Sequence, residues 1–408
     1  MPARPHVVVI HRWRARYAEY ARYLDHDRHA VTYVTTEIGA SAVPPSAAEI
    51  TLVAATDDLP TVADRIKQLA ENHGTPTAIV ALKEDDLLVA AQLRQEWGCA
   101  GLSPAQLVRF RDKLTMAEIV VGAGVPVPAF APAPHADAVR AFGDRYGWPV
   151  IVKPRIGSSS AGVSQVDGSD GCDRLDVDSD GPLMVQAFDP RQIYHVDGYF
   201  DGTALGPYRA SRYVNTCLGF RYGDVLGSVE EDNPRLVLAI GAFSTRVMAA
   251  LSDGPSVFHL EVFVDRETGD CAFLEVGARV GGAEIPFLWR EIHGYDLMEA
   301  GFRLALGQLP RPWPPSLGAP GGEVAGWLLV PAPAARPCRI AEATSMLGRT
   351  PGPYAEALLR PGEILPAADA YYEHVGGRFR FRGRSSADVQ AAIAATARDF
   401  RVGAEPLG

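Results

Sequence analysis

Apolar and polar blocks alternate from the start of the chain. Val7–Ile10 is a short β-branched run, and Val31–Thr35, Ile50–Ala54 and Thr77–Leu82 read as further strands. Residues 14–24 (RARYAEYARYL) repeat aromatic and aliphatic positions at helical spacing, and Thr61–Asn72 carries a second helical pattern. Strands and helices in alternation imply a parallel sheet covered on both faces, an α/β architecture. The first strand–helix turn, HRWRA, has no glycine. A dinucleotide fold wants a glycine-rich turn there, so a structural Rossmann-like unit is expected and NAD or FAD is not.

The pattern changes near Ser103. Ser103-Pro104 suits an N-cap followed by the first helical residue. A helix through DKLTMAEIVVGAG should stop at Gly122 or Gly124, and the proline-rich PVPAFAPAPHA should be extended. Helix Ala136–Tyr146 and strand Pro149–Lys153 follow. From Met184 to Gly307 the chain is rich in strand patterns. PRPWPPSLGAPGG reads as a linker. Strand patterns EVAGWLLVPA and FRFRG and a closing helix Ser386–Phe400 complete the sequence.

Composition narrows the class. Of 408 residues, 47% are apolar and 22% charged, as in ordinary globular proteins, and this length allows about two to four domains. Lys+Arg number 39 against 49 Asp+Glu, a net charge of −10. An acidic surface repels nucleic acid and anionic membranes, so neither is expected as a partner. An anionic substrate would need positive charge concentrated in one cleft. Cys99, Cys172, Cys217, Cys271 and Cys338 show no CxxC spacing, which argues against disulfides or zinc and for a reducing, cytoplasmic setting. The first apolar run is too short for a secretory leader, and Leu236–Leu251, cut by Arg246, is too short to span a bilayer.

Three constellations carry chemistry. The first is PVIVKPRIGSSSAGVSQV. Lys153 ends one strand, residues 157–162 form a loop, and Val163–Val166 returns. Gly157 and Gly162 permit close backbone approach, and the hydroxyls of Ser158, Ser159 and Ser160 could hold phosphate oxygens. The lysine precedes the glycines, so this is not a Walker loop. A serine-rich hairpin turn explains the loop equally well in isolation.

The second is FHLEVFVDRETGDCAFLEVGARVGG, two apolar runs around a turn with Gly269 in the left-handed position. In that register Phe263 faces Phe273 and Glu261 faces Glu275. Carboxylates opposed at a Cβ separation of about 4.5–5.5 Å repel unless a cation lies between them, and Mg²⁺ accepts carboxylate and phosphate oxygens. Two solvated glutamates are the plainer alternative, and a one-residue slip would separate them. The third is Arg279 with Gly281-Gly282: a guanidinium four residues past Glu275 can reach a phosphate held there, and the glycines expose N–H groups to a carboxylate. The histidines His6, His11, His26, His29 and His73 have no ligand spacing.

In order, Lys113, VIVKPRIGSSSAGV, MVQAFDPRQIYHVDG, FHLEVF and FLEVGARVGG resemble the ATP-grasp superfamily over most of the chain, with carboxylate–amine ligases, and among them dipeptide-forming L-amino-acid ligases, the most similar. The resemblance implies an ATP-grasp fold of the α/β class. It places a Rossmann-like N-terminal domain at 1–102, a small central α+β lid domain at 103–185, and a C-terminal α+β domain at 186–408 with an extension from about 310. It implies ATP and Mg²⁺, with Mn²⁺ as an alternative ion. Lys113 and Lys153 resemble the phosphate-contacting lysines, with Lys153 and Arg279 catalytic. The GSSSAG loop resembles the phosphate lid, Gln186-Ala187-Phe188 the segment whose backbone reads adenine, and Glu261 and Glu275 the metal ligands. Gly281, Gly282, Ala283 and Glu284 look like a substrate segment. Ala283 is small and should leave room for a side chain. Glu284 could meet a substrate amine, although a solvated helix-start glutamate is the commoner case.

Three departures stand out, the first being Gln186 in place of the usual acid at the adenine hinge. The family's Glu-x-Asn-x-Arg pattern has Gly277 in the asparagine slot, and the ribose-binding glutamate slot holds Ile193. His195 and Asp197 share that strand face by alternation and are the ribose candidates. The implied reaction joins a carboxylate to an amine through an acyl phosphate, releasing ADP and phosphate. The expected acid and amine are small molecules of the amino-acid class, and a homodimer is left open. A γ-carboxylate, peptide or natural-product acid is an alternative substrate, and a non-catalytic nucleotide-binding protein of the same fold is an alternative of another class.

Overall fold

The computed structural model describes residues 4–175, 181–314, 322–367 and 374–407. The first unit contains β1 (His6–His11), α1 (Tyr20–Tyr23), β2 (Ala30–Thr35), α2 (Glu37–Ala40), β3 (Glu49–Leu52), α3 (Leu59–His73), β4 (Pro76–Ala81) and α4 (Leu87–Trp97). Its sheet runs β3-β2-β1-β4 with every neighbour parallel. β1 and β2 are buried along their whole length, as a sheet covered on both faces requires. The helix expected over residues 14–24 is reduced to Tyr20–Tyr23. Its aromatic spacing reflects packing against separate neighbours, Tyr17 on Phe287 and Tyr20 on Phe302, and tertiary contact overrides the helical pattern.

Next come α5 (Pro104–Val108), whose N-cap Ser103 forms a capping box with Gln106, and α6 (Lys113–Gly122). A small antiparallel sheet follows, built from β5 (Phe130–Pro132), β6 (Val150–Pro154), β7 (Ser164–Val166) and β8 (Leu183–Ala187) in the order β5-β8-β6-β7, with α7 (Ala136–Tyr146) packed on it. The 103–185 segment is therefore divided. Met116 and Val120 of α6 join the core of the third unit, beside Ile240 and Phe273. The small sheet begins after them and runs on to Ala187.

The third unit holds β9 (Gln192–Phe200), β10 (Leu205–Tyr213), α8 (Cys217–Arg221), β11 (Leu226–Glu230), α9 (Pro234–Leu251), β12 (Ser256–Val264), β13 (Cys271–Gly277), α10 (Ile285–Glu291), α11 (Leu297–Ala305), β14 (Val324–Pro331), β15 (Cys338–Ala343), β16 (Ala355–Leu358), β17 (Ile364–Leu365), β18 (Val375–Gly383), α12 (Ser386–Asp399) and β19 (Val402–Pro406). Its large sheet is eight-stranded, β13-β12-β9-β10-β11-β14-β18-β16, and β17-β15-β19 form a separate sheet. Part of the linker expected at PRPWPPSLGAPGG, residues 315–321, lies outside the described residues.

α9 covers one face of the large sheet. It is long and apolar enough, by length and composition, to cross a membrane, so the expectation that this stretch is too short does not hold as stated. Here Leu236, Ile240, Phe243 and Val247 pack into the core instead. Alternation along β9 sends Tyr194, Val196 and Phe200 under α9 and Ile193 and Tyr199 to the opposite face. That opposite face, turned toward the first unit, carries the polar residues described next.

Candidate active site

β12 and β13 form the expected hairpin, and Gly269 takes φ +84° in its turn. Glu261 directly faces Glu275. A bulge after Glu261 then shifts the ladder, so that Phe263 faces Ala272 and Val262 faces Phe273, correcting the expected Phe263–Phe273 pair. The Tyr213 hydroxyl donates to Glu261 Oε1 at 2.8 Å, and His259 Nε2 lies 3.7 Å from the same oxygen. Burial alone would raise the Glu261 carboxyl, but His259 and Tyr213 outweigh it and hold it below the usual range.

Two lysines converge on this pair. Asp112 caps α6, accepting from Leu114 N at 3.0 Å, and is clamped by the Arg155 guanidinium from the end of β6. That stitch places Lys113 Nζ 3.5 Å from Glu275 Oε2 and 3.1 Å from the Gly157 carbonyl. Lys153 is buried and donates to Gln186 Oε1 at 2.8 Å. Burial, opposed by Glu275, lowers Lys153 to about 8.

The 157–162 loop lies over these groups. Ser158 Oγ donates to Asp85 Oδ1 at 3.1 Å, so that hydroxyl is turned to the first unit, and Arg221 donates to the Ser159 carbonyl at 3.1 Å. Ser159, Ser160 and Gly162 have φ of 55°, 54° and 68°. A Cβ at Gly162 would stand 2.7 Å from Pro154 Cγ, whereas one at Gly157 would meet only Pro154 Cβ at 3.9 Å. Gly162 is the glycine that the loop geometry requires.

No protein-family profile matches the chain. Over 241 residues, 56% of this chain, it is 25% identical to the L-arginine-specific L-amino acid ligase of Bacillus subtilis, and the match spans only 57% of that relative's length. Among solved structures, the L-amino acid ligase from Bacillus licheniformis superposes with a TM-score of 0.77 at 17% identity, covering 99% of both chains. The biotin carboxylase domain of Hydrogenobacter thermophilus 2-oxoglutarate carboxylase, solved with MgADP, gives 0.73 at 16% identity, covering 99% of this chain and 92% of that one. The N5-carboxyaminoimidazole ribonucleotide synthetase from Thermotoga maritima gives 0.67 at 15%, covering 98% and 100%. The chain has the ATP-grasp fold.

Within this ATP-grasp chain several expected site residues stand elsewhere than the resemblance implies. His195 and Asp197 are buried at 2% and 1% exposure and form a closed network, not a ribose contact. Asp197 Oδ2 meets His195 Nδ1 at 2.6 Å, and its Oδ1 meets His259 Nδ1 at 2.8 Å and accepts from Gly281 N at 3.1 Å. His195 Nε2 ends on Ser228 Oγ at 2.6 Å. Burial works against charge on His259, but Asp197 and Glu261 outweigh it and raise His259 to about 9. Both Asp197 oxygens are thus engaged inside the sheet.

The substrate segment is also partly closed. The Gly281 N–H is taken by Asp197, and a Cβ there would stand 2.2 Å from the Asp197 carboxylate. Gly282 faces open space. Ala283 has φ +53° and is half-buried, packed against the apolar cluster between the first unit and the large sheet. Glu284 is neither solvated nor free for an amine: it is buried against Arg378 Nη1 at 3.3 Å and Arg380 Nε at 3.4 Å, and burial raises its carboxyl despite both arginines.

Gln186 spends its side chain on Lys153, the Ala187 N–H donates to the Ala129 carbonyl at 2.8 Å, and Phe188 is 43% exposed beyond them. The Ala187 N–H is therefore not offered to a base. Arg279 turns its Nε to Glu84, and its Nη1 to the Val280 carbonyl at 2.9 Å. Sequence reading missed Glu84, Tyr213, His259 and Asp85. Only the alternation of His259 with Glu261 offered a signal for any of them.

The donor set suits a hard divalent ion. Glu261 and Glu275 oppose each other with carboxylate oxygens, and Lys113 and Lys153 flank them, which would suit an anionic nucleotide as well.

Proposed function

We propose that the protein is an ATP-dependent carboxylate–amine ligase, with amino acids as the acid and amine and a dipeptide or related amide as product. One observation carries the reading: Glu261 and Glu275 face each other beside Lys113 and Lys153, beneath the 157–162 loop. The curated relative that is named an L-arginine-specific L-amino acid ligase supports amino acids as the substrate class.

In this reading Glu261 and Glu275 hold Mg²⁺. When bound, the ion neutralises charge on the phosphate oxygens. Lys113 and Lys153 lie against the phosphates and offset the repulsion between ATP and an incoming carboxylate. Phosphoryl transfer depends mainly on such positioning and charge stabilisation, so no protein nucleophile is needed. A carboxylate oxygen of the acid attacks the γ-phosphorus, the bond to ADP breaks, and an acyl phosphate forms. The amine nitrogen then attacks the acyl carbon, inorganic phosphate leaves, and the amine proton passes to solvent. Arg279 supports the transferred phosphoryl group. The 157–162 loop keeps water from the acyl phosphate, and the Gly282 backbone borders the substrate space.

A phosphate-release screen of amino-acid pairs, with mass detection of the product, tests the proposal. Release that requires both an acid and an amine, with the matching amide, supports it. ATP binding without such release defeats it.

A further inference from the structure

Glu84 begins a short 3₁₀ turn, Glu84–Asp86, at the carboxyl end of β4, 195 residues before Arg279. In sequence it belongs to an acidic run, KEDD, that looks solvent-facing. Instead its side chain is only 11% exposed and sits between two guanidiniums, Arg111 at one oxygen and Arg279 Nε at the other. Burial would raise its carboxyl, but Arg279 and Arg111 hold it below the usual range.

The space Glu84 fills is that of a missing side chain. A Cβ at Gly277 would stand 2.7 Å from Glu84 Oε2 and 3.3 Å from Arg279 Cγ. A side chain at 277 would therefore require this carboxylate to shift from its place against the arginine. Arg279 is also attracted by Glu275, four residues earlier on the same hairpin. Glu84 at Nε and the Val280 carbonyl at Nη1 fix the guanidinium plane, and a guanidinium has five N–H donors, so others remain for an anion. The neighbouring Asp85 accepts from Ser158 of the 157–162 loop, so one turn of the first unit touches both the arginine and the loop.

We propose that Glu84 is the positioning residue for Arg279, admitted by Gly277, so that the first unit completes the phosphoryl-transfer site of the third. This rests on the ligase reading for the reaction itself, but not for the pairing. Glu84 acts through Arg279 and touches no reacting atom.

The test is a double-mutant cycle of Glu84→Gln and Arg279→Lys, with Gly277→Ala as an independent displacement of Glu84 that leaves its charge in place. Turnover, KM for ATP, melting temperature and binding of two probes, MgADP alone and inorganic phosphate in the presence of MgADP, are measured. Glu84→Gln and Gly277→Ala should each lower kcat by ~10- to 100-fold with KM for ATP within about threefold. In the Arg279→Lys background, Glu84→Gln should change kcat by less than about threefold, because neighbours that act as one unit are not additive. Phosphate binding should weaken with MgADP binding unchanged. Equal fractional losses of kcat in both backgrounds, or loss of MgADP affinity with intact phosphate affinity, would overturn the proposal. If the wild type releases no phosphate with any acid–amine pair, the ligase reading fails. The phosphate-binding cycle then decides on Glu84 alone: weakening that vanishes without Arg279 upholds it, and additive weakening sinks it.

Discussion

Two rows of polar residues lie side by side on one face of the large sheet. In the outer row Glu275 faces Glu261, whose next neighbour across β9 is His195; in the adjacent row Gly277, His259 and Asp197 stand in line. Both rows hold carboxylates, and both were candidates for binding chemistry, Glu261 and Glu275 by hairpin register and Asp197 by strand alternation. They differ in what their oxygens already do. Asp197 is committed to His195, His259 and Gly281, so it builds the site's floor. Glu275 is 36% exposed with Lys113 at 3.5 Å, so it is open to a ligand. Sharing a face with a site does not put a residue in it; unused hydrogen-bonding capacity does.

The comparison breaks first at its two carboxylates. Glu275→Gln should reduce ligation by ~1,000-fold, several kcal/mol of transition-state stabilisation, with the melting temperature nearly unchanged. Near-normal turnover at low magnesium would show that this row is not the metal row. Asp197→Asn should do the reverse, destabilising the fold by about 3 kcal/mol because two buried histidines lose their carboxylate, with MgADP affinity retained by the folded fraction. A stable variant that has lost nucleotide affinity would move Asp197 from floor to site.

Much of the outer row was legible. Gly269 marked the hairpin turn, but the register next to that turn would pair Glu261 with Leu274, and only the bulge brings Glu275 opposite Glu261; Ser103, Gly122 and Tyr146 marked helix ends that the structure keeps. The bulge after Glu261 was not legible, because nothing in Glu-Val-Phe-Val announces an extra residue. Nor was the paired state of Glu284, whose arginine partners lie about ninety positions away on β18. Glu84 is the extreme case: an acidic run reads as solvated until the fold brings Arg111 and Arg279 to it.

A smaller effect separates the two loop glycines. Gly162→Val must adopt φ +68° against Pro154 and should lower turnover by ~10-fold, since left-handed backbone costs a β-branched residue at least 1–2 kcal/mol. Gly157→Val meets only Pro154 Cβ at 3.9 Å and should change turnover by less than about threefold. Equal losses at both would mean that freedom of motion, rather than local geometry, limits the loop.

The smallest effect is the pH response of Lys153, lowered to about 8 from 10.5. An anionic nucleotide binds the protonated lysine. MgADP affinity should therefore be level below pH about 8 and fall above it, by at most about tenfold per pH unit for one linked proton. The stability of the ligand-free protein moves the other way. Between about 8 and 10.5 the unfolded chain holds a proton that the folded chain lacks, so stability rises with pH across that window. A flat affinity from pH 7 to 9.5 would mean that Lys153 does not meet the phosphates.

The most direct measurement is the stoichiometry of ADP to amide with a productive acid–amine pair. The account expects one ADP per amide bond, with no ADP formed above background when Glu275 is replaced by Gln. ADP released at the same rate without the amine, or amide formed by the Glu275→Gln variant at the wild-type rate, would contradict it.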